Sequence, residues 1–127
     1  MSKKIIETKH APKPIGPYNQ AVVHNGMVYI SGQIAVHPES GKLILKDIQA
    51  ETQQVLQNLK AVLQASNSSL DKVIKISIFL ADMELFEDVN DVYSAYFEES
   101  SAPARECVAV KSLPKNVNVE ISAIAFL

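Results

Sequence analysis

The spacing of apolar residues along the chain alternates between two periods, one typical of strands and one typical of helices. A period of two predicts strands at 4–8, 21–32, 72–80, 106–110 and 117–126. The stretch 21–32 carries Asn25-Gly26 between two apolar runs, which is the strongest short hairpin signal, so it predicts two strands. Prolines and a glycine at 9–20, and the sequence HPESGK at 37–42, predict loops.

Two further stretches have apolar residues every three or four positions and predict amphipathic helices. The first covers about 47–65, with Asp47 as its N-cap and Glu51 in its first turn. The second covers about 83–98 and is capped by Asp82. The resulting order, β-ββ-α-β-α-ββ, predicts an α+β fold in which two helices pack on one face of a mixed sheet.

The other face of that sheet is predicted to be partly apolar. Phe79, Ile124 and Phe126 alternate with the residues that face the helices. Two helices cover only one side, so a second subunit is expected to cover this face; the alternative is a solvated face with a few apolar residues. In strand 72–80, simple alternation places four residues together on the helix side: Ile74, Ile76, Ile78 and Leu80.

Composition limits the class of protein. The 127 residues are the size of one domain, predicted to span 1–127, and are 47% hydrophobic and 20% charged, which is enough for a core. The net charge of −2 and pI of about 5.9 give no electrostatic reason to expect a nucleic-acid or anionic-membrane partner. A single cysteine excludes an intramolecular disulfide and any cysteine-rich zinc site.

Localisation is predicted from the absence of targeting signals. No apolar run approaches the roughly 20 residues of a membrane span. The start, MSKKIIETKH, has no following apolar region and does not read as a secretory signal. The expectation is therefore a cytoplasmic protein, with the mitochondrial matrix as the alternative if a presequence has been removed.

Arg105 and Cys107 stand two apart at the head of a late strand and share one of its faces. Val108 and Val110 share the other face, which is taken as the core side, so Arg105 is expected to point away from the helices. Its guanidinium either forms a strand-end ion pair, with Glu106 or Glu98 as candidates, or binds a carboxylate ligand through two hydrogen bonds.

Two other polar residues occupy unexpected positions. Glu120 lies in the middle of the last strand on the same face as Ile124 and Phe126, where it either forms a structural pair or has a raised pKa suited to proton transfer. Asn90 interrupts the apolar stripe of the second helix, and its amide either bonds to nearby backbone or serves a site. No histidine has metal-ligand spacing, and Cys107 is expected to be an inert thiol.

Six segments together resemble one known family. They are APKPIGPYNQAV (11–22), VYISGQIA (28–35), SSLDKVIKISIFLADM (68–83), FEDVNDVYSAYF (86–97), APARECVAV (102–110) and LPKNVNVEISAIA (113–125). In this order they are similar to the RidA family of reactive-intermediate (enamine/imine) deaminases, also called the YjgF or L-PSP family. The resemblance implies a chorismate-mutase-like fold in a homotrimer, with a ligand cleft at each subunit junction.

The resemblance also implies roles for particular residues. Arg105 would bind the substrate carboxylate, Glu120 would act on the catalytic water, and Tyr18 would close the cleft. The remaining implied substrate-binding residues are Ser31, Gly32, Asn90 and Cys107. No metal or organic cofactor is implied.

The implied reaction is hydrolysis of 2-iminobutanoate and 2-iminopropanoate, or their enamine tautomers, to 2-keto acids and ammonia. These compounds are released by pyridoxal-phosphate-dependent serine and threonine dehydratases. One alternative is a non-catalytic module that binds small carboxylates and regulates a partner. Another is the endoribonuclease or translation-inhibitor activity attached to part of the family, although the chain has no basic stripe or aromatic stacking motif to support RNA binding.

Overall fold

Six strands form one mixed sheet in the order β1-β2-β3-β6-β4-β5 in the computed structural model, which describes residues 2–127. The strands are β1 Lys4–Ile6, β2 Ala21–His24, β3 Met27–Gln33, β4 Val73–Leu80, β5 Ala104–Ala109 and β6 Val119–Phe126. All neighbouring strands are antiparallel except β4 and β5, which are parallel. The two helices are α1 Ile48–Ala65 and α2 Phe86–Tyr93. The predicted α+β architecture is confirmed.

The turn between β2 and β3 follows directly from its sequence. His24 pairs with Met27, which leaves Asn25 and Gly26 as a two-residue loop. Both have positive φ, 51° and 76°, as the tightest hairpin turns require. Asparagine and glycine tolerate this left-handed conformation best, so the predicted hairpin forms where the sequence places it.

Helix α1 begins and ends where its pattern predicts. The Asp47 side chain accepts a hydrogen bond from the backbone N–H of Ala50 at 2.7 Å and caps the first turn. The apolar side of the helix is fully buried against the sheet: Val55, Leu56, Leu59, Val62 and Leu63. Burying large aliphatic side chains contributes roughly 1.5–3 kcal/mol each, so α1 supplies much of the stability of the core.

Helix α2 is shorter than predicted. A 3-10 turn, Met83–Leu85, precedes it, and the Asp82 side chain caps that turn by accepting from the N–H of Glu84. After Tyr93 the backbone amides of Ala95 and Tyr96 bond three residues back instead of four. The chain therefore tightens and leaves the helical path before 98.

Strand β4 contains a bulge that simple alternation did not predict. Its pairing with β6 shifts between Val73 and Lys75, so Ile74 is the extra residue. Val73 and Ile76 are both buried, whereas Ile74 is 45% exposed. The prediction that Ile74 shares the helix side with Ile76 was wrong because one inserted residue reverses the alternation before it.

The two faces of the sheet have different surroundings. The helices cover the face that carries Ile76, Ile78 and Ile121, all buried. The opposite face carries Tyr29 and Phe126, which are exposed, together with the partly buried residues Phe79 and Ile124. The partly apolar second face is therefore confirmed. Neither helix of the described chain is long and apolar enough to cross a membrane.

Candidate active site

Arg105 lies on the helix-covered face of the sheet, and the prediction that it points away from the helices was wrong. In the parallel pairing of β5 with β4, Arg105 stands opposite Ile76 and Cys107 stands opposite Ile78. Residues opposite one another in neighbouring strands share a face. Val108, taken from the sequence as a core residue, is 45% exposed on the other face. The error arose because β5 is an edge strand whose apolar positions do not mark the core side.

Helix α2 holds the guanidinium of Arg105 from three positions. Nη1 donates a hydrogen bond to Oδ1 of Asn90 at 2.9 Å. The Cζ atom lies 4.7 Å from the ring centroid of Tyr93 and 5.7 Å from that of Phe86, close enough for cation–π attraction. Residues 86, 90 and 93 are spaced so that they share one side of a helix. The Asn90 side chain therefore serves Arg105 and not the nearby backbone.

Neither ion pair considered for Arg105 forms. Glu106 pairs with Lys75, with Nζ 2.9 Å from Oε1, and it accepts a hydrogen bond from the hydroxyl of Ser77. Within residues 2–127 Arg105 takes part in no ion pair, and Glu98 only lines the same cleft. A guanidinium has five N–H donors, and the bond to Asn90 uses one of them. The remaining donors are available for a carboxylate.

Arg105, Asn90 and Tyr93 line a cleft of about 460 Å³ between the end of α2 and the start of β5. The hydroxyl of Tyr93 is buried and has no hydrogen-bond partner among the described residues. Burial raises the pKa of this phenol, and the positive charge and nearby N–H groups of Arg105 partly oppose that rise, although their geometry falls short of a hydrogen bond. A buried hydroxyl without a partner costs roughly 1–3 kcal/mol, so packing alone would favour phenylalanine here.

Cys107 lies beside Arg105 and packs against the core while remaining partly exposed. Burial raises the pKa of its thiol, and Arg105 only partly counters this. The thiol is therefore protonated at neutral pH, where a nucleophilic cysteine would need to be ionised. The geometry agrees with an inert thiol that lines the site.

Glu120 lies on the opposite face of the sheet from Arg105. It stands opposite Phe79 of β4, and its carboxylate rests over Gly32 of β3. A Cβ atom at Gly32 would lie 2.7 Å from Cδ of Glu120, so only glycine leaves room for the carboxylate in this position. No hydrogen bond or ion pair to this carboxylate is found within residues 2–127, and burial raises its pKa.

A second glutamate supports the strand that carries Glu120. Glu51, on the first turn of α1, is fully buried. Its carboxylate accepts from the backbone N–H and the side-chain amide of Asn118 at 2.7 and 2.8 Å, and from the N–H of Val119 at 3.1 Å. The sequence indicated only a first-turn acid at Glu51. The length of α1 and the turn before β6 bring these residues together, and no local pattern records that contact.

Tyr18 sits on a loop that hydrogen bonds fasten to β3. Its side chain is about half exposed, and its hydroxyl accepts from the N–H of Ile15 at 3.3 Å. The hydroxyl of Ser31 donates to the carbonyl of Asn19 at 2.6 Å. The Ser31 hydroxyl therefore holds the loop, and the ligand contact that the resemblance implied for Ser31 stays a prediction. Tyr18 and Gly32 line a separate cavity of about 340 Å³.

Gln20 is a residue of this loop whose importance the sequence did not indicate. It is buried, and its side-chain amide bonds to backbone groups of Thr8, Ala11 and Pro12. Its place in a loop rich in proline was the only available signal, since a proline-rich loop lacks N–H groups to bond to itself. Gln20 thus fixes the segment that presents Tyr18.

The predicted site residues fall into two groups within one chain. Asn90, Arg105 and Cys107 lie together on the helix side of the sheet. The other group comprises Tyr18, Ser31, Gly32 and Glu120. Because Arg105 and Glu120 are on opposite faces, one small molecule cannot contact both within a single chain. No cluster of three or more potential metal ligands occurs in the described part of the chain.

Known proteins share this fold and these sequence features. The sequence pattern of the family described as Endoribonuclease L-PSP matches residues 8–127. A RutC family protein of Pyrococcus horikoshii is 48% identical over 124 residues, which cover 98% of each chain. The chloroplastic protein Reactive Intermediate Deaminase A of Arabidopsis thaliana is 39% identical over 127 residues, which cover 100% of this chain and 67% of that one.

The same likeness extends to solved structures. The crystal structure of E. coli TdcF with bound serine matches with a TM-score of 0.92 at 44% identity, and the match covers 98% of both chains. The chain therefore belongs to the Endoribonuclease L-PSP family, to which the RidA resemblance of its six segments pointed.

Proposed function

We propose that this protein hydrolyses 2-iminobutanoate and 2-iminopropanoate, or the enamines from which they form, to 2-keto acids and ammonia. The observation that carries the proposal is the guanidinium of Arg105, which is fixed by Asn90 and two aromatic rings at the edge of a cleft and has no acid partner in the described chain. Such a guanidinium is suited to bind a carboxylate through two hydrogen bonds. The name of the Arabidopsis relative supports the same chemistry.

The proposed active site is formed by two subunits of a homotrimer. Arg105 and Glu120 face opposite sides of the sheet, so a cleft that uses both must combine Arg105 of one subunit with Glu120 of another. Exposed apolar residues on the open face, among them Tyr29, Val108 and Phe126, support burial of that face by a second subunit.

The proposed mechanism assigns one task to each group. Arg105 holds the substrate carboxylate and thereby places the adjacent C=N carbon next to a water molecule. Glu120, whose pKa is raised by burial, accepts a proton as that water adds to the carbon. It passes that proton to nitrogen, which gives a carbinolamine. It then moves the hydroxyl proton of the carbinolamine to nitrogen as the C–N bond breaks, so that the oxygen stays as the carbonyl of the 2-keto acid and nitrogen leaves as ammonia.

The remaining site residues shape the two sides of the cleft. Gly32 leaves room for Glu120, and Tyr18 closes the cleft from its loop. Cys107 lines the site without forming a covalent bond, because its thiol remains protonated. Ser31 contributes by holding the loop that carries Tyr18, through its bond to Asn19.

The proposed substrates come from pyridoxal-phosphate-dependent dehydratases that act on serine and threonine. Serine has the carboxylate that Arg105 is proposed to bind, and it is bound in the E. coli TdcF structure. The single cysteine of the chain suits a reducing compartment, so we place the reaction in the cytosol.

Binding without catalysis is the second candidate function. Its support is that the group around Arg105 is complete within one chain, whereas Glu120 lies on the other face. A carboxylate could therefore bind and change the affinity for a regulated partner without any role for Glu120. The two functions make different predictions for keto-acid formation.

The test is a coupled assay in which serine or threonine dehydratase generates the imine and keto-acid formation is followed with and without this protein. We expect the wild type to accelerate keto-acid formation. Arg105→Ala should reduce kcat/KM by about 10²–10⁴, since two charge-assisted hydrogen bonds are worth roughly 1.5–3 kcal/mol each. Arg105→Lys should recover little of this loss because a lysine cannot reproduce the planar fork.

The control for these variants is Lys111→Ala, which removes one exposed positive charge outside the cleft. It should leave the rate unchanged. If the wild type binds 2-oxobutanoate but does not accelerate hydrolysis, the binding function replaces the deaminase. If Arg105→Ala is as active as the wild type, the carboxylate contact is wrong.

A further inference from the structure

Tyr93 contacts Arg105, but the proposed mechanism assigns no task to Tyr93. The Cζ atom of Arg105 lies 4.7 Å from the ring centroid of Tyr93, which is the nearer of the two aromatic rings. Tyr93 is only 6% exposed, so water is largely excluded from its ring. The attraction of a cation to an aromatic face is greatest where both are desolvated.

The ring of Tyr93 presents its face to the guanidinium, and its hydroxyl lies near enough to Arg105 to be influenced by it. That buried hydroxyl nevertheless forms no hydrogen bond of good geometry within residues 2–127, so the ring is the better-defined contact. The ring stacks on that of Phe97, with centroids 4.7 Å apart and planes at 30°. Because Phe97 belongs to the core cluster, the plane of the Tyr93 ring is fixed before any ligand binds.

We propose that Tyr93 is a positioning residue for Arg105. Its ring, held against Phe97, keeps the guanidinium oriented so that the N–H groups not bonded to Asn90 face the cleft. The inference rests on the proposed function, since it describes how the arginine that binds the carboxylate is oriented. Without the Tyr93 ring, only the bond to Asn90 and the more distant ring of Phe86 would hold the guanidinium, and a ligand would have to order it on binding.

Three variants distinguish the effects on catalysis of the Tyr93 ring, of its hydroxyl and of the packing of α2. Tyr93→Leu removes the ring and should raise KM for 2-iminopropanoate about 10-fold while kcat changes less than about 3-fold. Tyr93→Phe keeps the ring and should recover KM to within about 3-fold of the wild type. Val89→Ala, a buried change on the same helix at a residue that forms neither the hydrogen bond nor a cation–π contact with Arg105, should lower stability and leave KM unchanged.

A spectroscopic measurement follows Arg105 directly. The chain contains one arginine, so a ¹⁵N-labelled sample gives a single arginine Nε–H signal. In the wild type and in Tyr93→Phe, the ring should shift this signal upfield and slow its exchange with water. Both effects should be much smaller in Tyr93→Leu, where only the more distant ring of Phe86 remains, and should persist in Val89→Ala. Titration with 2-oxobutanoate should move the signal at lower concentrations in the wild type than in Tyr93→Leu.

The possible results are distinct. An unchanged Nε–H signal together with an unchanged response to 2-oxobutanoate in Tyr93→Leu would overturn the proposal. A Tyr93→Phe variant as impaired as Tyr93→Leu would also overturn it, since the hydroxyl would then be responsible. If the wild type hydrolyses no imine, the proposed function fails, and the arginine signal and the 2-oxobutanoate titration still decide whether Tyr93 positions Arg105.

Discussion

Neighbouring groups stabilise the positive charge of Arg105, whereas the surroundings of Glu120 disfavour its negative charge. The positive charge of Arg105 is supported by the side-chain oxygen of Asn90 and by two ring faces. The negative charge of Glu120 has no such support in the described chain, and burial raises its pKa. These surroundings are the ones that the proposed roles require, one group to hold an anion and the other to exchange a proton.

The position of the Glu120 carboxylate depends on the absence of a side chain at Gly32. In Gly32→Ala the new methyl group would overlap the carboxylate, which is the flexible end of its side chain and should move aside. We expect kcat to fall about 10–100-fold, because small displacements of a catalytic group have effects of this size. Steady-state kinetics would measure this, with thermal unfolding to show that the fold is intact. A wild-type kcat would contradict the assigned position.

The raised pKa of Glu120 also predicts how stability depends on pH. Ionising a carboxyl group whose folded pKa is raised costs folding free energy. The free energy of unfolding should therefore fall as the pH rises from the ordinary value of 4.5 through the folded pKa. Glu120→Gln should be more stable than the wild type at pH 7 and lose this advantage at pH 4. Urea unfolding at both pH values would test this, and an equal difference at both would contradict it.

Secondary-structure elements whose bounds depend on neighbouring residues could be predicted from the sequence. Features that depend on contacts between distant parts of the chain could not. The Asn25-Gly26 hairpin and helix α1 form where their local patterns place them. The bulge at Ile74 and the end of α2 near Tyr93 depend on pairing with β6 and on the return of the chain toward β5. The helix-facing side of Arg105 also depends on a pairing, the parallel one of β5 with β4.

The sequence was enough to identify the candidate site residues, but it did not show how those residues contact one another. Arg105, Asn90 and Glu120 attract attention because polar groups interrupt apolar patterns. The contact of Asn90 with Arg105 joins residues 15 apart through the fold, so strand and helix periods alone do not reveal it. Phe86 and Tyr93 belong to the apolar stripe of the second helix, and their spacing does not distinguish a ring that packs in the core from a ring that holds a cation.

Glu51 links two elements, and its removal should destabilise both. Glu51→Ala would leave three N–H donors without acceptors, two on the partly buried Asn118 and one on the buried Val119. We expect the free energy of unfolding to fall by about 3–5 kcal/mol, since an unsatisfied donor costs roughly 1–3 kcal/mol and the two of Asn118, which water can reach, fall at the lower limit. Gln49→Ala, an exposed change in the same helical turn, should alter it by less than about 0.5 kcal/mol. Urea unfolding would measure both, and equal stabilities for the two variants would contradict the assigned role of Glu51.

The sheet separates Arg105 from Glu120, the two residues proposed to act together in the site. The helix face positions Arg105, and the open face positions Glu120 beside exposed apolar residues such as Tyr29 and Phe126. A cyclic trimer would bury the open face and bring the two groups together at each junction. The fold of one chain would then be stable by itself around the helix-side core, while activity would require assembly.

Complementation between two inactive variants tests this account most directly. Arg105→Ala and Glu120→Gln should each be inactive as pure trimers. After subunits are mixed in equal amounts and allowed to exchange, random assembly should give about a quarter of the wild-type number of intact junctions, each with Arg105 from one subunit and Glu120 from the next. Imine hydrolysis should therefore recover to about a quarter of the wild-type rate. If mass spectrometry shows mixed trimers and no activity returns, the site is not shared between subunits and the central claim is wrong.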